Sequence, residues 1–79
     1  MGYEDFDIVF RDAHFRFDKK NTEFKDAWKK MSLEELQEDL YNKELMEKAS
    51  QKDLQERYKR LIDIINDAAM LAVKIRERI

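Results

Sequence analysis

The chain has no cysteine, no proline and a single glycine, Gly2. Without cysteine there is no disulfide, no thiolate nucleophile and no thiolate metal ligand, which fits an intracellular and so cytoplasmic setting. With Gly2 alone, a glycine-rich phosphate loop is excluded and tight glycine turns are disfavoured. No proline- or glycine-rich linker divides the chain. An excess of one charge is also missing: 16 basic residues stand against 18 acidic ones, a net charge of -2. That balance argues against nucleic-acid binding driven by bulk charge. No apolar run approaches the ~20 residues of a membrane span. The acidic start, Met1-Gly2-Tyr3-Glu4-Asp5, does not read as a signal peptide, and Phe6 stands where a myristoylation motif wants Ser or Thr. Seventy-nine residues make one domain at most, and a core of that size is marginal unless stapled or oligomeric.

What is present is helical periodicity. Tyr3, Phe6, Phe10, Ala13 and Phe17 step by three and four, which predicts a first helix over about 4–18. Phe15-Arg16-Phe17 alternates as a strand would, but a strand has no partner here. Lys19-Lys20-Asn21 reads as a connector, and Asn21 or Thr22 as the cap of a short helix over 22–30 with Phe24, Trp28 and Met31 on one side. Ser32-Leu33-Glu34-Glu35 is a capping box. It opens a helix over 33–49 whose face carries Leu33, Leu36, Leu40 and either Lys43 or Glu44. Ser50-Gln51-Lys52-Asp53 repeats the capping logic ahead of a last helix over 51–79, which at 1.5 Å per residue would be about 43 Å long.

That last helix carries a heptad: Leu54, Tyr58, Leu61, Ile65, Ala68, Ala72, Ile75 and Ile79 alternate spacings of four and three. Ile62, Ala69 and Val73 add a second apolar stripe, and Ile64 and Leu71 a third flank. So much apolar circumference wants more than one neighbour. The expectation is an all-α bundle of three or four helices with a long C-terminal helix, completed by a homodimer in which the long helices pack together. The interface would be Leu54, Tyr58, Leu61, Ile65, Ala68, Ala72 and Ile75, with small Ala68, Ala69 and Ala72 allowing close approach.

Oxygen ligands recur at helical spacing. Glu44 and Glu47 lie at i and i+3, and Asp63 and Asn66 repeat that spacing on the next helix, with Asp67 one turn from Asp63. Two facing helices carrying such groups can hold Mg²⁺, which takes octahedral oxygen coordination and usually keeps waters and a substrate phosphate. The plain alternative is a solvated acidic face, with Asp63 paired to Lys59 or Arg60 on its own helix. His14, with Asp12 and Asp18 nearby, lacks a second properly spaced ligand and reads as a partly exposed histidine. Phe6, Phe10, Phe15, Phe17, Phe24 and Trp28 could stack on nucleic-acid bases, but their basic neighbours are matched by acids, so core or subunit interface is the better reading.

The stretch Ala27-Trp28-Lys29-Lys30-Met31-Ser32-Leu33-Glu34-Glu35-Leu36, then Glu44-x-x-Glu47, then Asp63-Ile64-Ile65-Asn66-Asp67-Ala68-Ala69-Met70-Leu71-Ala72, resembles the small MazG-like all-α nucleotide pyrophosphohydrolases over residues 24 to 75. The resemblance implies a helical oligomer that cleaves nucleoside triphosphates to monophosphates and pyrophosphate with Mg²⁺. Glu44 and Glu47 match the family's first acidic pair, Asp63 its final acid, and Asn66 or Asp67 the polar group one turn on. Arg60 stands where the second pair has its first Glu, and Asn42 and Lys43 stand where further acids precede the first pair. The motif is therefore degenerate. Two functions follow as expectations: a divergent, inactive or active, pyrophosphohydrolase, or a small non-enzymatic module that binds itself or another protein. Arg60 separates them, because an arginine pointing into the acidic cluster replaces the metal.

Overall fold

A computed structural model describes residues 2–24 and 26–79. Among them there are three α-helices, one 3-10 turn and no strand: α1 Tyr3–Phe24, the turn Ala27–Lys30, α2 Leu33–Ala49 and α3 Leu54–Arg76. α3 packs against both α2 and α1. The all-α expectation is met.

α1 runs six residues past the expected end at Asp18. Nothing in Lys19-Lys20-Asn21 breaks a helix, and Thr22 inside it donates its Oγ1 to the Asp18 carbonyl at 2.9 Å. The chain turns instead at Asp26, which takes the left-handed region at φ 61°, a conformation that Asp tolerates better than most residues. Asn21 holds that turn. Its Oδ1 accepts from the Asp26 amide at 3.2 Å and its Nδ2 donates to Asp26 Oδ1 at 2.6 Å. The helix expected over 22–30 is thus reduced to one 3-10 turn, Ala27–Lys30. Met1 and Lys25, the latter within that expected helix, lie outside the described residues.

α2 begins and ends where its capping box and length predict. The Glu35 amide donates to Ser32 Oγ at 3.1 Å and the Ser32 amide donates to Glu35 Oε1 at 3.0 Å. α3 starts three residues later than expected. Ser50 closes α2, donating its hydroxyl to the Met46 carbonyl at 2.9 Å. Asp53 is the cap instead, its Oδ1 accepting from the amides of Gln55 and Glu56, each at 3.1 Å. The four-residue link Ser50–Asp53 makes α2 and α3 an antiparallel helical hairpin.

The apolar core is small. Ala13, Leu36 and Ile62 are its fully buried members among the described residues. Asp63 and Asp67 are buried with them, 2% and 5% exposed. Residues two apart on a helix lie about 200° apart around its axis, so a stripe through Asp63 and Asp67 lies opposite one through Leu61 and Ile65. α3 therefore turns its polar stripe inward and much of its heptad outward. Leu54, Tyr58, Leu61 and Ile75 are exposed, Ile65 is half-buried, and Ala68 and Ala72 are exposed. At the far end, Lys74 crosses to the 3-10 turn and donates Nζ to the carbonyls of Lys29 and Met31.

Candidate functional site

The inward stripe of α3 meets α1 and α2 at a cluster of charges. Asp63 is its centre. Arg16, from α1, donates Nε to Asp63 Oδ1 at 2.5 Å and Nη2 to Oδ2 at 3.2 Å, a two-pronged contact of the kind guanidinium and carboxylate geometry favours. Lys20, one turn further along α1, donates Nζ to Oδ1 at 3.1 Å. Arg60, one turn before Asp63 on α3, places Nη1 3.6 Å from Oδ2 and binds Glu56 through Nη2 at 2.7 Å. Burial works to raise the Asp63 pKa, but the hydrogen bonds from Arg16 and Lys20 outweigh it and hold the carboxyl below its ordinary value. The same contact raises Arg16.

Asp67, one turn on, has the opposite environment. Its Oδ2 is buried and has no hydrogen-bond partner among the described residues. Burial first, and the neighbouring Asp39 carboxyl second, push its pKa up to about 7, against a smaller opposing pull from Lys43. Two carboxyls held together in a low-dielectric site cannot both ionise cheaply, so the pair retains one proton. Asp39 also lies 4.0 Å from Lys43 on its own helix.

The remaining expected site residues are used differently. Asn66 donates Nδ2 to the Ala13 carbonyl of α1 at 2.9 Å, a cross-helix tie. Glu47 accepts from Arg57 Nε at 2.7 Å across the α2–α3 hairpin. Glu44 is exposed on α2. Among the described residues no group of three or more His, Asp or Glu side chains is arranged to hold a metal ion. The donors themselves fit a divalent ion poorly, since Asp63 and Glu47 are already matched by cations and Lys43 stands beside Asp39. His14 lies 3.9 Å from Asp18 on the exposed side of α1.

On α2, the face that meets Asp63 and Asp67 carries Asp39 and Lys43, not Glu44. Both line a cavity of about 190 Å³ with Phe17, Lys20, Trp28, Asp63, Asp67 and Met70. Sequence reasoning passed over Asp39, although it sits three residues after Leu36, expected on that face, and four before Lys43, which was one of two alternatives there. Arg16 and Lys20 are spaced by four on α1, but nothing in their sequence context pointed to Asp63. A second, apolar groove of about 340 Å³ runs between α1 and α3, walled by Phe10, Ala13, Phe17, Ile65, Ala69 and Val73. Phe17 and Trp28 meet edge to face at 6.2 Å between ring centroids where the two cavities adjoin.

Compared with known protein families, curated proteins and solved structures, the chain shows no match.

Proposed function

We propose that the chain is a small non-enzymatic helical module that associates with a second copy of itself through the outward face of α3. One observation carries the reading: the acid at the centre of the site, Asp63, already has its charge met by Arg16, Lys20 and Arg60. A buried carboxylate satisfied this way is a structural ion cluster that joins α1 to α3. Magnesium would have to displace three protein cations to reach it.

Self-association answers the problem of the small core. With Ala13, Leu36 and Ile62 as the buried apolar residues, and Leu54, Tyr58, Leu61 and Ile75 exposed along one helix, much of the apolar surface that could stabilise the chain is still in contact with water. Packing the Leu54–Ile75 seam against its copy removes that surface, and Ala68 and Ala72 permit close helix approach. Tyr58 is oriented within the seam by donating its hydroxyl to Asp12 Oδ2 at 2.6 Å. A cysteine-free chain of this kind suits the cytoplasm.

The competing reading, a degenerate nucleotide pyrophosphohydrolase using Mg²⁺, draws on Asp39, Asp63 and Asp67 lining one cavity. A titration separates the two. A metal that binds only the folded state raises its melting temperature. The module reading expects no rise with millimolar Mg²⁺ or Mn²⁺ and no pyrophosphate release from a panel of nucleoside triphosphates. A metal-dependent rise together with release would overturn it in favour of the enzyme.

A further inference from the structure

The outward seam of α3 runs between basic rims. The heptad positions that flank it hold Arg57, Arg76 and, just past the end of the helix, Arg78, and none of those positions is acidic. Arg57 is paired with Glu47 within its own hairpin at 2.7 Å, while Arg76 and Arg78 are exposed. Two such seams laid against each other, parallel or antiparallel, offer no ion pair across their rims. Rim charges of opposite sign are what set partner and direction in packed helices.

The opposite pattern stands on α1. Its first turns carry an apolar stripe, Tyr3, Phe6 and Phe10, all exposed, with Phe6 and Phe10 stacked at 6.4 Å between ring centroids. The charges around that stripe are acidic. Over residues 3–12, Glu4, Asp5, Asp7 and Asp12 stand against Arg11 alone. Asp5 and Asp7 lie about 100° to either side of Phe6 around the helix axis, and both are exposed. Stripe and seam thus share their spacing and carry rims of opposite sign.

The two faces cannot meet within one chain. α1 sits on the inward side of its own α3, where Asn66 donates to the Ala13 carbonyl at 2.9 Å and Arg16 holds Asp63. The seam is on the far side of the same helix, so an α1 that reaches it belongs to another copy. Such a pairing closes with two-fold symmetry. α1 of each copy lies on α3 of the other, and the same contact is made twice.

We infer that the surface opposite the α3 seam is α1 of a second copy, an inference that rests on the self-association proposed above and names the element that answers it. Tyr3, Phe6 and Phe10 pack along Ala68, Ala72 and Ile75, whose two alanines leave room for the rings, and Asp5 and Asp7 face Arg76 and Arg78.

A charge swap tests the pairing. Sedimentation equilibrium compares the unmodified full-length protein, Asp5→Lys/Asp7→Lys, Arg76→Glu/Arg78→Glu, and an equimolar mixture of the two variants. Each variant alone faces like with like, so its dimer is expected to weaken by at least about tenfold while circular dichroism stays helical. The mixture is expected to recover twice the single-chain mass, because each mixed pair sets Lys against Glu at one contact and Asp against Arg at the other. The unmodified protein supplies a second reading that does not depend on the variants folding. Attracting rims make its dimer weaken as salt is raised, whereas rims of base on base would make it tighten. An unmodified dimer that tightens with salt, or that both folded variants retain undiminished, would overturn the pairing with α1 and leave self-association through α3 standing. A mixture of folded variants that stays at single-chain mass while the unmodified protein dimerises would do the same. A single-chain mass for the unmodified protein would overturn both.

Discussion

Replacing Asp67 with Asn is expected to stabilise the protein at neutral and alkaline pH and to change it little in mild acid. Burial, reinforced by Asp39, raises the Asp67 pKa to about 7 in the folded chain, whereas an unfolded aspartate titrates near 3.9, a value typical of model peptides. Between those values the native state holds a proton that the unfolded state has released. Stability therefore falls as pH rises from about 4 to about 7, and above that the full cost of ionising the group in the interior is present. Three pH units at 1.36 kcal/mol each make the cost about 4 kcal/mol. The neutral amide does not ionise, so the variant escapes this cost, and its NH₂ can donate to Asp39, which the charged carboxylate cannot. The assay is urea unfolding followed by circular dichroism at about pH 5 and about pH 8, at one fixed protein concentration because the proposed self-association would make apparent stability concentration-dependent. A His14→Asn background leaves the chain without histidine, and since His14 is exposed the core is untouched. The wild type should lose stability from the lower to the higher pH, and Asp67→Asn should show a flat profile with a higher midpoint at the higher pH. A wild type equally stable at both, with a variant no better at the higher pH, would refute the placement of Asp67 beside Asp39 in the interior.

Asp63 is expected to behave in the opposite sense. Its carboxyl is held below the ordinary value, chiefly by the Arg16 and Lys20 hydrogen bonds acting against burial, so its contribution is present above about pH 4 and disappears as pH falls through its folded value. Asp63→Asn should cost about 3 kcal/mol in chemical denaturation at neutral pH, because it leaves Arg16, Lys20 and Arg60 without their shared counter-charge. Leu36→Ala, at a residue 1% exposed, should cost about 2–5 kcal/mol by the same measurement. Leu61→Lys, on the outward face of α3, should leave the helical content intact while shifting the protein towards a single-chain mass in light scattering.

The parts of the fold that were legible in the sequence are those encoded by local chemistry. The capping box at Ser32 and Glu35 fixes the start of α2, because both hydrogen bonds are made by residues within four positions of each other. Apolar spacings of three and four marked the helices, and the one strand-like piece, Phe15-Arg16-Phe17, had no partner strand. Errors came where local signals competed. Ser50 and Asp53 can both cap a helix, and only the geometry of the hairpin link decides that Ser50 closes α2 while Asp53 opens α3. Lys19-Lys20-Asn21 reads as a connector ahead of a short helix, yet nothing there stops α1, which continues to Phe24.

The site was legible in part. Asp63, Asn66 and Asp67 stood out as polar groups away from the heptad, and Arg60 as the cation that would meet them. Their inward orientation was not legible, because the apolar heptad on α3 suggested the opposite face for packing. A helix whose polar stripe is buried while Leu54 and Leu61 face water is a poor fit to reasoning from hydrophobicity alone. The buried charges can face inward because Arg16 and Lys20 arrive from a helix more than forty residues away in sequence. The same inversion leaves Leu54, Tyr58, Leu61 and Ile75 facing solvent. In the proposed dimer a second copy covers that seam.

The central claim is that a second copy of the chain covers the outward face of α3. Sedimentation equilibrium of the full-length protein at high micromolar concentration tests it most directly. The account predicts a mass twice that of one chain, reverting to a single-chain mass in Leu61→Lys. A single-chain mass for the unmodified protein at that concentration would contradict it.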